Sequence, residues 1–101
     1  MASRLNLQTE LEQILGSRNV YFQPPASVQM KYDAIRYSRK NITNRFANNS
    51  VYNQRDCYEI IVIYKNPDSD LPRKISRLPL CSFDRHYTAD NLNHDVFTIY
   101  Y

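Results

Sequence analysis

The groups from which a reacting or metal-binding site could be built are few: two cysteines, two histidines and ten acidic residues in 101. Cys81, Asp84, His86 and Asp95 are the densest set, and by residue type they could be written as a cysteine nucleophile with its base and orienting carboxylate. A regular strand sends side chains alternately to its two faces. Cys81 and His86 lie an odd number of residues apart, so a regular strand would point the nucleophile away from its base. The structural role this leaves for Cys81 is that of a small buried hydrophobe. Cys57, Cys81, His86 and His94 are the soft metal ligands, with no C-x-x-C or H-x-x-x-H pair among them. Asp68 and Asp70 resemble a fragment of a calcium loop, but its glycine and distal glutamate are missing, which leaves a turn and a helix cap. Gly16 is the only glycine, so no glycine-rich phosphate cradle can form. The reading is a protein without catalytic residues, metal or cofactor, whose activity is binding.

Binding to nucleic acid needs cations interleaved with aromatic stacking platforms, and Arg36, Tyr37, Arg39, Lys40, Arg45 and Phe46 have that composition. Arg36 and Arg39 fall on opposite faces of one strand, however. The thirteen basic and ten acidic residues are interspersed to a net charge of +3, short of a concentrated basic patch. Nine tyrosines and no tryptophan are the one odd feature of the composition. Tyrosine buries a ring while keeping a wet hydroxyl, which suits half-exposed sheets and protein interfaces.

These residues must be positioned by the elements around Arg55–Leu78. From Tyr58 to Tyr64 only Glu59 is polar, and Ile60-Ile61-Val62-Ile63 is entirely β-branched. Such a run favours a strand, and apolar residues on both faces place it at the centre of a sheet, with Ile61 and Val62 in core on opposite sides. Ser69 or Asp70 can cap a short helix with Pro72 in its first turn; Leu71, Ile75 and Leu78 form its apolar face and Pro79 stops it. Earlier, Leu7, Leu11, Ile14 and Leu15 predict a first helix of about ten residues, closed by Gly16 in the left-handed C-cap conformation. Val20-Tyr21-Phe22 is a short strand cut off by Pro24-Pro25, and Tyr32–Arg39 is a second strand. Residues 40–54 are polar and asparagine-rich, a long hairpin arm or loop in which Phe46 either pins back onto the domain or meets a partner. Cys81–Thr88 and His94–Tyr101 flank a turn at Asp90–Asn93 and make a closing hairpin. The expectation is a single α+β domain over residues 1–101 in the order α-β-β-β-α-β-β. Its sheet would be mainly antiparallel, with both helices packed on one face. No apolar run is long enough to span a membrane, and two cysteines without a secretion pattern suit a reducing cytoplasm.

VYFQPPASVQMKYDAIRYSR, the turn NPDSD at Asn66–Asp70 and the block LPLCSFDRHYTADNLNHDVF from Leu78 to Phe97 resemble a family of small neck and tail proteins of long-tailed bacteriophages and prophages. These are the tail-completion or tail-terminator proteins, also described as head-tail joining or minor capsid proteins. The resemblance runs from about Leu7 to Tyr101. It departs at Asn66, where the family carries an acidic residue, and at Asp33-Ala34, where a proline and a small residue are expected. It implies a structural virion subunit, assembled in the host bacterial cytoplasm into a homo-oligomeric ring, commonly a hexamer. The ring would cap the tail tube and join it to the head connector. Its partners would be itself, the major tail tube protein and the connector or head-closure protein, with genomic DNA crossing the lumen without sequence recognition. In that setting Arg39, Arg45, Phe46 and Arg55 are the candidate subunit or partner contacts, since arginine forks pair well with carboxylates at interfaces. Two alternatives stay open: a head-closure protein on the connector side of the neck, and a small nucleic-acid-binding accessory protein.

Overall fold

The apolar run at Tyr58–Tyr64 sits in the middle of a five-stranded sheet, as its two apolar faces require. The computed structural model describes the backbone of residues 4–47 and 50–101, and the side chains of 4–40 and 56–101. In chain order the elements are α1 (Arg4–Leu15), β1 (Val20–Phe22), β2 (Ala34–Ala47), β3 (Ser50–Tyr64), α2 (Leu71–Ser76), β4 (Cys81–Ala89) and β5 (Leu92–Tyr100). The strands lie side by side as β1-β2-β3-β5-β4. All pairs are antiparallel except β1 with β2, where Val20–Phe22 run parallel to Ile35–Tyr37. This is the α+β fold with the expected order, and none of its described helices is long and apolar enough to cross a membrane.

Both helices cover the same face. Leu7 and Leu11 of α1 and Leu71 and Ile75 of α2 join one buried cluster with Ile35, Tyr37, Tyr58, Ile60, Val62, Phe97 and Ile99. Gly16 ends α1 at φ +80°, the left-handed region open to glycine without a Cβ penalty, and its N–H donates to the Glu12 carbonyl at 2.9 Å. Asp70 occupies the N-cap of α2 without a side-chain capping bond; the Ser69 hydroxyl instead accepts from the Leu71 N–H at 3.3 Å. The hairpin β4–β5 turns on two residues, Asp90 and Asn91, at φ +52° and +61°. That pair of positive φ values is the turn whose twist matches its flanking strands, and Asp and Asn tolerate it best after glycine.

Among the described residues the opposite face carries no helix. Ala34, Cys57, Ile63 and Val96 are buried there, outside the helix-side cluster, and Ile61 is only half-buried. The expectation that Ile61 and Val62 are equivalent core positions is therefore corrected. Val62 lies under the helices with no exposed surface, while Ile61, on the other face, is only half-buried.

The segment at 40–54 is an arm. β2 and β3 pair from Asn41↔Cys57 outward to Ala47↔Ser50, whereas β5 stops pairing with β3 at Cys57 and β1 reaches only Tyr37 on β2. Among the described residues the outer part of the hairpin has no third strand. Seven residues per strand at strand rise give a ribbon of about 23 Å. The radius of gyration is 14.6 Å with extents of 51 × 27 × 22 Å, against about 13 Å for a compact chain of this length. A register shift at Lys40 marks the base of the arm and another at Tyr52 lies along it. Such bulges bend and twist a strand where it leaves a sheet.

Candidate functional site

The cysteine, histidine and aspartate set falls along the β4–β5 hairpin, and its geometry differs from the regular-strand expectation. The register of β4 shifts between Phe83 and Arg85, leaving Asp84 as an extra residue. That one residue reverses the parity: Cys81 pairs opposite Ile99 and His86 opposite Asp95, so both stand on the helix-covered face. Cys81 and His86 therefore share a face, contrary to the opposite faces expected of a regular strand. Distance separates the two groups instead, because their partners on β5 are four residues, or about 13 Å, apart. Cys81 is half-buried, and loss of hydration pushes its thiol up to about 11, far from a thiolate at neutral pH.

What does converge is His86, Asp95 and Tyr64. The Asp95 carboxylate is only 7% exposed, and it is the one charged residue among the buried ones described. One of its oxygens accepts from the Tyr64 hydroxyl at 3.1 Å and the other is hydrogen-bonded to His86 Nδ1. Burial of the phenol, reinforced by the neighbouring carboxylate, pushes Tyr64 up to about 12. The Asp95–His86 pair has the form of an orienting carboxylate and its imidazole. No cysteine or third metal-ligating group of the described residues joins it. What the three side chains do as placed is tie β3, β5 and the edge strand β4 together.

The arm base carries a second polar cluster. Arg39 Nε lies 3.1 Å from Asp56 Oδ2, its guanidinium carbon is 5.8 Å from the Tyr58 ring centre, and the Tyr58 hydroxyl donates to the same carboxylate oxygen at 3.1 Å. Across the strand, the Arg39 N–H donates to Gln23 Oε1 at 3.1 Å. Arg39 is thus held within its own chain with 43% of its side chain exposed, so it retains a wet face. Arg45, Phe46 and Arg55 lie on the arm, in register with Asn53, Val51 and Thr43 respectively. Their side chains fall outside the described residues. Arg36 and Arg39 pair with Ile61 and Tyr58, on opposite faces as the alternation required, so they do not form one cationic surface.

Beside the arm base, at the same end of the sheet, a half-open groove of about 210 Å³ runs between α1 and the turn into β4. Leu78 and Ile99 form its apolar lining, and Glu10 and Tyr101 are joined across it by a 2.8 Å hydrogen bond from the tyrosine hydroxyl. Leu80 on its rim is 54% exposed at φ +58°, a conformation that costs a bulky residue steric strain. Tyr100, which also lines the groove, is 42% exposed. Sequence reasoning missed this groove, because its rim is set by the turn conformation at Leu80, which the residue pattern does not announce.

Comparison with known proteins returns no matching family model, no matching curated protein and no matching solved structure.

Proposed function

We propose that this protein acts by assembly, as a tail-completion subunit whose homo-oligomeric ring caps the tail tube and joins it to the head connector. The observation that carries the reading is the arm. A two-stranded ribbon leaving the sheet by about 23 Å is a costly thing to hold out in solvent, and it repays its ordering only when something packs on it. A subunit that must meet a neighbour on each side of a closed ring needs two different surfaces, and a projecting arm supplies one of them. The arm carries Lys40, Arg45 and Arg55 and no acidic residue before Asp56, so it suits an acidic neighbouring surface. The resemblance of the Leu78–Phe97 block supplies the identity of the neighbours, and Arg39, Arg45, Phe46 and Arg55 are the proposed contacts.

The test is genetic. In a phage genome carrying a null allele of this gene, DNA-filled heads should accumulate unattached, and tails should be missing or overlong. An allele with Arg39, Arg45 and Arg55 all changed to Glu should reproduce that defect while the purified protein still folds. Normal, infectious virions from the null allele would overturn the reading. Normal virions from the triple variant alone would overturn only the choice of contacts.

A further inference from the structure

We propose that the free edge of β4 pairs with the same edge of a second copy of this chain, antiparallel about a two-fold axis passing between Asp84 and Arg85. This goes beyond the ring reading, because a ring is closed by unlike surfaces and this contact is made by like ones.

β4 is an edge strand of nine residues, paired on one side only among the described residues, and every residue from Ser82 to Ala89 is exposed. Such an edge presents a row of unpaired backbone donors and acceptors and is a template for another strand. What it would accept is written in its side chains. Antiparallel pairing about the stated axis sets Asp84 against Arg85 of the second copy, Phe83 against His86, Ser82 against Tyr87 and Cys81 against Thr88. The chemistry of the strand is therefore its own complement: two opposite-charge pairs at the axis, a ring against a ring on either side, and small or hydroxyl-bearing residues beyond. Asp84 and Arg85 already lie 2.7 Å apart within one chain, half-exposed, so the two copies would exchange partners they are built to hold.

The bulge fixes the register. Residues directly opposite in an antiparallel pair must lie on the same face, and a regular strand pairing with itself about a two-fold axis satisfies this only when the paired numbers sum to an even value. The pairs above sum to an odd value. They become permitted because the extra residue at Asp84 shifts the parity once in each strand. Phe83 and His86 both stand on the helix-covered face, opposite Phe97 and Asp95. Ser82 and Tyr87 both stand on the other, opposite Thr98 and His94. A bulge usually spoils an edge for pairing. Here it sits on the symmetry axis, where each copy's bulge meets the other's.

Sedimentation of the purified full-length chain across a concentration series should show a reversible monomer–dimer equilibrium. Asp84→Arg places like charges across the axis and should weaken the dimer about tenfold, as should Arg85→Asp. The double exchange, Asp84→Arg with Arg85→Asp, restores complementarity and should recover the wild-type constant. Ser82→Cys with Tyr87→Cys should oxidise to a covalent dimer. Within one chain those positions are about 16 Å apart along the strand and cannot bridge. A chain that stays monomeric throughout overturns the proposal. So does a dimer indifferent to the charge changes, or one disrupted by the single variants and not recovered by the double exchange. The result is separable from the ring reading: a monomer that still caps tubes refutes the edge pairing alone, and a dimer without capping refutes the ring alone.

Discussion

Phe97→Ala should lower the stability of the folded chain by about 3–5 kcal/mol, the range for truncating a large aromatic in a packed core. Phe97 is 1% exposed, lies directly opposite Ile60 on β3 and Phe83 on β4, and packs its ring edge-on against Phe83 at 5.6 Å. It links the central strand to the edge, so the loss removes contacts on both sides and leaves a cavity in the core. Ile61→Ala, on the face without helices, should cost only about 1 kcal/mol because a half-buried side chain removes less surface from water. Urea denaturation at neutral pH measures both. Equal losses at the two positions would contradict the smaller burial of Ile61 relative to the helix-covered side.

Asp95→Ala is the second large effect, expected at about 2–4 kcal/mol. It removes the shared acceptor of Tyr64 and His86 and leaves a buried phenol hydroxyl without a partner. The same cluster sets an alkaline limit. An unfolded tyrosine titrates near 10, while Tyr64 in the folded chain is pushed up to about 12, first by burial and then by the Asp95 charge. Between those values the unfolded chain releases its proton first, so the folded state binds more protons and stability falls as pH rises. Two units correspond to roughly 2–3 kcal/mol at most for this one group. Tyr64→Phe should remove that share of the slope between pH 10 and 12. A smaller slope should persist, because burial and the Glu10 hydrogen bond push Tyr101 up to about 12 as well. An Asp95→Ala variant within about 0.5 kcal/mol of the original chain would show that water, not Tyr64 and His86, satisfies the carboxylate.

Much of this fold is legible in the residues because the decisive signals are local. The β-branched run at Ile60–Ile63 names the central strand, Gly16 names the end of α1, and Asp90-Asn91 names the closing turn. The arm is legible as a length without being legible as paired strands, since its asparagine-rich polarity is the same for a ribbon and a loop. Three features are not local and did not show. The parallel pairing of β1 depends on where the 23–33 connection returns the chain. The burial of Asp95 depends on two partners, Tyr64 and His86, which are 31 and 9 residues away. The bulge at Asp84 is one inserted residue in an otherwise regular strand, yet it reverses which side chains share a face. Alternation can be counted from a sequence only where no bulge intervenes. Simple alternation therefore puts Cys81 and His86 on opposite faces, whereas the bulge puts them on one.

The most direct measurement of the central claim is electron microscopy of purified, uncapped tail tubes incubated with this protein. Particles are averaged separately at tube ends and along tube walls. The assembly reading predicts a closed ring of identical subunits at one end of each tube, its arms engaged with neighbouring density, and no further growth when tube protein is added. Bare ends that continue to elongate, with the protein free in solution or scattered along the walls, would contradict it.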